Sequence, residues 1–394
     1  MRTDIPQVES FIHLNNAAAS LPDKRVYQAM HAYMDQEASM GSTEAMLAAA
    51  APLAEIYKNL AKLIGIPEHR IALSGSNTDA WQKPFLALDL QPGDRILVGE
   101  SEWGGNLSVL KHRCELHRAT LEVIPSTDTG VIDVDAFAAM LDRKVRMVCV
   151  TWVSAVCGAV NPVAQMASTL KNHSAWFFVD AAQSFGQIST DLSNSRFDVV
   201  TVSPRKYLRG PRGLGFTGYS ERFLESVLPR GIDQFSGPWG EDGIGIRNDA
   251  RKFEYGESSY IVRIGFAEAV KLALGTDWPA IQSTIADLAA HIRKELNNLP
   301  GITVHERGEG SSGITTFSHN TVLPSTIKEH LSKLKINIAT PAQTYAPLWF
   351  ASGRPLISRI SPHAFNTHTE VEQTLQAIND VVIKKQNQHR STSI

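Results

Sequence analysis

Cysteine is scarce in this chain, with only Cys114, Cys149 and Cys157 among 394 residues. They are too few and too irregularly spaced for a disulfide framework or a zinc site, so each is expected to be a small buried hydrophobe. Charge of one sign is missing too. Lys and Arg number 38 against 40 Asp and Glu, a net charge of −2. With no basic excess for phosphate-backbone contacts, nucleic acid is not expected as a partner. No apolar run reaches the roughly 20 residues that a membrane helix needs. The longest, VRMVCVTWVSAVCGAV (145–160), carries Arg146 and Ser154 and reads as a buried strand. The opening MRTDIPQVESFIHL lacks the basic start and apolar core of a secretion signal. Internal repeats and low-complexity segments are absent. Together these point to a soluble, cytoplasmic protein with no membrane partner.

What is present is ordinary globular composition, 43% apolar, 20% charged and 8% aromatic, which excludes disorder, collagen-like repeats and coiled coil. At roughly 100–200 residues per domain, the length suggests about two domains. From 70 to 220, short β-rich runs alternate with helical patterns. The runs are RIALS (70–74), RILVGE (95–100), TLEVIPS (120–126), VRMVCVTWV (145–153), AWFFVD (175–180), VVTVS (199–203) and LGFTGYS (214–220). Helical patterns such as DVDAFAAMLD (133–142) and PVAQMASTLKNH (162–173) lie between them. Apolar strands separated by helices are what a parallel sheet covered on both faces requires.

After about 258 the character changes. Helical stretches at 262–274 and 278–296 are followed by short strands at 313–319 and 355–361. Thr367 and Glu370 have capping-box spacing for a last helix through about Lys385, after which the polar tail QNQHRSTSI is expected to fray. HERGEGSSG (305–313) is Gly-rich, but no helix follows it, so it reads as a solvated turn rather than a phosphate cradle.

Four features fall at strand ends, where open α/β sheets place ligands. SGSNTDAW (74–81) joins a strand to a helix, and its backbone N–H groups with Ser76 and Asn77 suit a phosphate; a plain helix cap would look the same. Asp180 closes the apolar run AWFFV, where a carboxylate needs a cationic partner, a structural ion pair or a cap; Gln183 follows three residues later. SPRKYLRGPRGLG (203–215) puts Lys206 just beyond a strand, 26 residues after Asp180, with Ser203 and Arg205 beside it. A lysine near an anion-binding loop and a buried carboxylate is the arrangement pyridoxal phosphate needs, with a lysine for the Schiff base and an acid for the pyridine nitrogen. Arg359, in SRISPH (358–363), could pair with a surface acid or give the two-point contact that an amino-acid carboxylate needs.

In this order, HLNNAAAS (13–20), VDAAQSFG (179–186), SPRKYLRGPRGLG and RISPHAFNT (359–367) resemble the class V aminotransferase family of fold-type I pyridoxal-phosphate enzymes, over almost the whole chain. The resemblance implies an α/β fold. A large domain (18–258) would carry a mainly parallel seven-stranded sheet, and a smaller α+β domain (259–394) would have residues 1–17 packed against it. It implies a homodimer acting on a small-molecule amino-acid substrate. It makes Lys206 the Schiff-base lysine and Asp180 the pyridinium partner, with Gln183 on the phenolic oxygen. Ser76, Asn77, Ser203 and Arg205 would share the phosphate, Trp103 of SEWGGN (101–106) would stack on the ring, and Arg359 and Asn16 would bind substrate.

Three positions depart from the family's pattern. Arg205 stands where cysteine desulfurases have His. Glu257 stands where many relatives place a Thr that reaches the neighbouring subunit's phosphate. Ala155 replaces a frequent Asn near the ring.

Within the family, SGSN, SEWGGN, YGES and GITTFS are most similar to lyases that make thiohistidines by cleaving a cysteine sulfoxide conjugate of hercynine (ergothioneine) or histidine (ovothiol). A cysteine desulfurase needs a nucleophilic cysteine in the C-terminal half, and none follows Cys157. An aminotransferase or epimerase of a small amino acid, and a non-catalytic cofactor-binding regulator, are the alternatives. The substrate side chain is expected among loops such as QFSGPWGEDG (234–243) and TPAQTYAP (340–347).

Overall fold

The computed structural model describes residues 1–6, 8–190, 192–193, 196–305 and 312–392, with side chains as far as 384. Seven apolar segments pair into one sheet: β1 (Ile71–Ser74), β2 (Arg95–Val98), β3 (Thr120–Val123), β4 (Val145–Thr151), β5 (Trp176–Asp180), β6 (Val199–Val202) and β7 (Gly215–Tyr219). Their spatial order is β1-β7-β6-β5-β4-β2-β3. Neighbours are parallel except that β7 runs antiparallel to both β1 and β6. The six mutually parallel strands therefore all end on one edge of the sheet, and β7 ends on the other.

These are the seven runs anticipated from sequence, some with shorter ends. The run 145–153 stops at Thr151, because the chain turns back after it, with the Ser154 N–H on the Ala159 carbonyl at 2.9 Å.

Alternation along the strands fills two cores, since successive side chains point to opposite faces. On one face Leu73, Leu97, Val148, Val150, Phe177, Val179 and Val200 pack with Ile56 and Leu60 from the helix Ala50–Ile64 and with Phe266 and Val270 from Tyr260–Leu274. On the other, Ala72, Ile96, Val98, Met147, Cys149 and Phe178 pack against Trp81, Phe85, Leu107 and Leu110. Each large side chain so buried contributes roughly 1.5–3 kcal/mol, and the two-faced burial explains why the strands read as continuous apolar runs.

The remaining chain forms a three-stranded antiparallel sheet, in order β8 (Ile302–Val304), β9 (Thr315–His319) and β10 (Ser358–Ile360). Helices Trp278–Asn297, Pro324–Lys333 and His368–Thr392 pack around it through Leu288, Ile292, Phe317, Leu331, Ile360 and Ile378. Leu14 joins this cluster, and Ile12–His13 pairs in parallel with Ile336–Asn337.

The capping box forms. The Thr367 hydroxyl accepts from Glu370 N–H, and the Glu370 carboxylate accepts from Thr367 N–H, both at 3.1 Å. Contrary to the expected fraying, the last helix continues to Thr392. Lys, Gln and Arg in the tail favour helix intrinsically. Of the Gly-rich stretch 305–313, residues 306–311 lie outside the described residues. Among the described residues, no helix is long and apolar enough to cross a membrane.

Candidate active site

A cavity of about 500 Å3 opens where β1, β4, β5 and β6 end. Of the residues singled out in the sequence, Ser76, Asn77, Trp103, Asp180, Gln183, Ser203, Arg205, Lys206 and Arg359 all line it. Tertiary structure brings them together from segments as far apart as 76 and 359.

The carboxylate comes from the last residue of β5. Asp180 is buried and accepts three N–H groups: Asn106 Nδ2 at 2.9 Å and Asn77 Nδ2 at 3.3 Å from side chains, and Ala182 N at 3.0 Å from the backbone. These three bonds fix its orientation. The Asn77 amide thus donates one hydrogen to the acid, and the backbone N–H groups in the first turn of the helix Asn77–Leu86 lack intrahelical partners. Ser76 caps that helix, its Oγ accepting from Asp79 N–H at 3.0 Å. The loop is pressed onto β7, since a Cβ at Gly215 would lie 2.5 Å from the Ser76 carbonyl.

Lys206 follows β6 in a tight turn. Its N–H reaches the Ser203 carbonyl at 3.3 Å, and Gly210 N–H returns to the Pro204 carbonyl at 2.9 Å. Burial, then the neighbouring Arg205, hold the Lys206 amine down to about 7, with Arg359 adding to this and Asp180 opposing it. A desolvated lysine of this kind is a nucleophile near neutral pH.

Behind the turn, His363 stacks on Tyr207 with centroids 5.8 Å apart. Its Nδ1 accepts from Ala364 N–H at 2.9 Å, so Nε2 carries the hydrogen that meets the Tyr207 carbonyl at 3.1 Å. Burial pushes this imidazole down to about 3, leaving it a neutral prop for the lysine turn.

Arg359 rises from β10 and is almost fully buried. Nη1 donates to the Ala155 carbonyl at 3.0 Å and Nη2 to Asn15 Oδ1 at 3.5 Å. Burial lowers its proton affinity to about 10, so it stays charged at neutral pH. Ala155, which replaces the family's asparagine, thus serves through its backbone. At the mouth, Trp103 stands 4.8 Å from Tyr345, tilted by 45°. The loop bearing Tyr345 is pinned there, because a Cβ at Gly104 would come within 1.9 Å of the Thr344 carbonyl.

Asn16 does not reach the cavity. Its Nδ2 donates to the Ser361 carbonyl at 2.8 Å and its Oδ1 accepts from Ser20 Oγ at 2.8 Å, so its amide ties the N-terminal segment to the end of β10. Its neighbour Asn15 is the one that touches Arg359. Glu257 lines a separate hollow of about 280 Å3 with Gly75, Lys83 and Arg263. Of the two loops expected around the substrate, 340–347 contributes Tyr345 and Ala346, whereas 234–243 does not line the cavity and leaves Trp239 77% exposed.

Sequence reasoning missed Asn106, Thr151, Arg212 and Asn15. All four sat inside quoted segments, and only a contact or a place in the cavity lining marks them out.

Buried polar atoms are seldom left without partners. Yet Asn77 Oδ1, Gln183 Oε1 and Arg359 Nε have none among the described residues, although each belongs to a lining residue. Arg205, Lys206, Arg212 and Arg359 face the single lining carboxylate Asp180. That donor set suits a ligand with a phosphate and a basic ring nitrogen, joined by an amino-acid carboxylate. Pyridoxal phosphate with an amino acid meets it.

Relatives match nearly the whole length of the chain. It is 27% identical over 372 residues to a probable hercynylcysteine sulfoxide lyase of Mycobacterium tuberculosis, covering 93% of this chain and 89% of that protein. It is 25% identical over 383 residues to a probable cysteine desulfurase of Halobacterium salinarum, covering 94% and 92%. The fold matches that of a cysteine desulfurase from Thermococcus onnurineus with a TM-score of 0.88, at 23% identity over 97% of both chains. Residues 12–374 match the family model described as aminotransferase class V; with its strand-end lysine, its buried acid and this match over nearly its full length, the chain belongs to the class V aminotransferase family of pyridoxal-phosphate enzymes.

Proposed function

We propose that the protein is a carbon–sulfur β-lyase that cleaves the S-oxide of a cysteine–histidine-type conjugate, hercynylcysteine or histidylcysteine sulfoxide. The products would be a sulfur fragment bearing the S–O unit, pyruvate and ammonia. The observation that carries this reading is a cavity equipped for a phosphate and an amino acid but containing no thiol. All three cysteines are buried and none lines the cavity, so no residue is in place to accept sulfur as a desulfurase cysteine would. The relative from M. tuberculosis supports the substrate class.

When bound, pyridoxal phosphate supplies a carbon that captures the substrate amine and a ring that accepts the electron pair left at Cα. Ser76, Ser203, Arg205 and the start of the helix Asn77–Leu86 would hold the phosphate. Asp180 would keep the ring nitrogen protonated, and Gln183 would meet the phenolic oxygen. Trp103 would cover the ring face. Arg359, steadied by Ala155 and Asn15, would hold the substrate carboxylate and so orient the Cα–H bond. Lys206, with its lowered proton affinity, would take the Cα proton as general base. The sulfoxide leaves more readily than a thioether because charge develops on a stabilised S–O unit.

The same reading includes a division into units 18–258 and 259–394 with residues 1–17 against the second, supported by the pairing of Ile12–His13 with Ile336–Asn337. It also includes a homodimer, supported by the exposed apolar side chains Leu47, Trp239 and Ile244; sedimentation of a stable, fully active monomer would contradict it.

The test is a panel of cysteine conjugates assayed for pyruvate. An imidazole-bearing cysteine S-oxide should release pyruvate and ammonia with no keto acid added. Turnover that requires a keto-acid acceptor and leaves the C–S bond intact would make the enzyme a transaminase, and a spectral response without any product would make it a binding protein. In the same assay, Arg359→Ala should raise KM and lower kcat. Losing one partner of a buried charged pair costs about 2–5 kcal/mol, roughly 30-fold to several-thousand-fold in kcat/KM. Arg359→Lys should recover little, since an ammonium cannot replace a planar two-point contact. Near-complete recovery by lysine would remove the carboxylate clamp from Arg359.

A further inference from the structure

Glu102 plays no part in the scheme above, yet its surroundings are unusual. It is fully buried between the cavity-lining Ser101 and Trp103. Its Oε1 accepts from Thr151 N–H, its Oε2 lies 2.9 Å from Thr151 Oγ1, and Cys149 Sγ is 3.7 Å from Oε2. No lysine, arginine or histidine pairs with it among the described residues. A buried carboxylate without a cation is costly.

The neighbouring carboxyl is Asp180. Thr151, which clamps Glu102 from β4, is the register partner of Asp180 on β5 and itself lines the cavity. The two acids therefore flank one threonine, Asp180 on the cavity side and Glu102 behind. Their surroundings differ. Asp180 collects three N–H donors and shares its cavity with four basic side chains, whereas among the described residues Glu102 receives donors only from Thr151 and Cys149. Like charges this close in a buried site do not both ionise, and the charge settles where donors and cations are.

We propose that Glu102 is a positioning residue that carries its proton at neutral pH, so that the pair holds a single negative charge and that charge sits on Asp180, facing the cavity. The groups that face Glu102 are the Asp180 carboxylate on β5 and the Cys149 thiol on β4. Burial, then the charge of Asp180, hold Glu102 up to about 8, while its hydrogen bonds to Thr151 act in the opposite direction. Burial likewise keeps the Cys149 thiol protonated. The inference concerns charge within the site and stands whichever substrate the enzyme takes.

The experiment compares urea unfolding of wild-type and Glu102→Gln holoenzymes across pH. In the unfolded chain this glutamate loses its proton near 4.5, and in the folded chain only near 8. Between those values the folded state holds one proton more, so its stability falls as pH rises. The wild type should lose stability relative to Glu102→Gln by about tenfold in the folding constant per pH unit across this window, and the visible band at neutral pH should be the same in both. A wild-type-minus-variant difference that stays constant over the window would mean that Glu102 is ionised in the folded protein, and would overturn the proposal. Should the variant not fold, infrared spectra of wild-type holoenzyme with carbon-13 glutamate decide. A protonated glutamate carbonyl band present at neutral pH and lost above about 8 is expected, and its absence at neutral pH would overturn the proposal equally.

Discussion

Replacing Lys206 by alanine is expected to abolish the visible absorbance of the yellow holoenzyme and nearly all turnover. Both the covalent anchor and the base for the Cα proton disappear together. The proton-transfer part alone is worth about 10²–10⁴ in rate, and the covalent part adds to it. Borohydride reduction of the wild type followed by peptide mapping should label Lys206, and a label on any other lysine would remove the central assignment. A pH dependence follows from the same environment. Burial, with Arg205 beside it, sets the amine to about 7 instead of the ordinary 10.5. Below about 7 it is protonated and cannot attack, and above that it is the free base. The rate at which apoprotein and pyridoxal phosphate develop the visible band should therefore rise through about pH 7 and then level. A rate still climbing towards 10.5 would mean that the amine keeps the proton affinity of an exposed lysine.

Asp180→Asn should keep part of the cofactor but lose turnover by a factor on the order of 10²–10³, the loss typical of removing one preorganised electrostatic contact. The substitution is nearly isosteric. Asn106, Asn77 and Ala182 all donate to this side chain, so a carboxamide must turn its own NH2 towards a donor or towards the ring nitrogen. Neither arrangement stabilises a protonated ring. A kcat close to wild type would show that the acid only ties strand ends together.

The strand pattern was legible because β4, β5 and β6 are buried on both faces, and such strands announce themselves as unbroken runs of Val, Phe and Met. Lys206 and Asp180 were legible for a related reason. Asp180 is a charged residue closing one of those runs, where an apolar environment makes a charge conspicuous, and Lys206 stands just beyond the next run in a polar, Gly-rich turn. Asn16 shows the limit. Next to Asn15 in the same motif, it had equal standing in the sequence, yet the backbone turn points its amide at Ser361 and leaves Asn15 to meet Arg359. Strand ends were overextended wherever apolar residues continue past the last ladder bond, as Trp152 and Val153 do before the turn at Ser154.

From sequence alone came the local facts: which segments are strands, that Asp180 closes one of them, that charges balance, and that no cysteine follows Cys157. The tertiary structure decided what depends on distance across the chain. It gave the Asn77 amide to Asp180, made a carbonyl of Ala155 the seat of Arg359, drew Tyr345 against Trp103, and put Glu102 behind Thr151 with no cation to meet it among the described residues. The physical reason is the range of the interactions. Periodicity and burial preference act within a strand or a helix turn and leave a local pattern, whereas hydrogen bonds and charge–charge effects act over a few ångströms between residues tens to hundreds of positions apart. Those neighbours exist only once the sheet order β1-β7-β6-β5-β4-β2-β3 has assembled them.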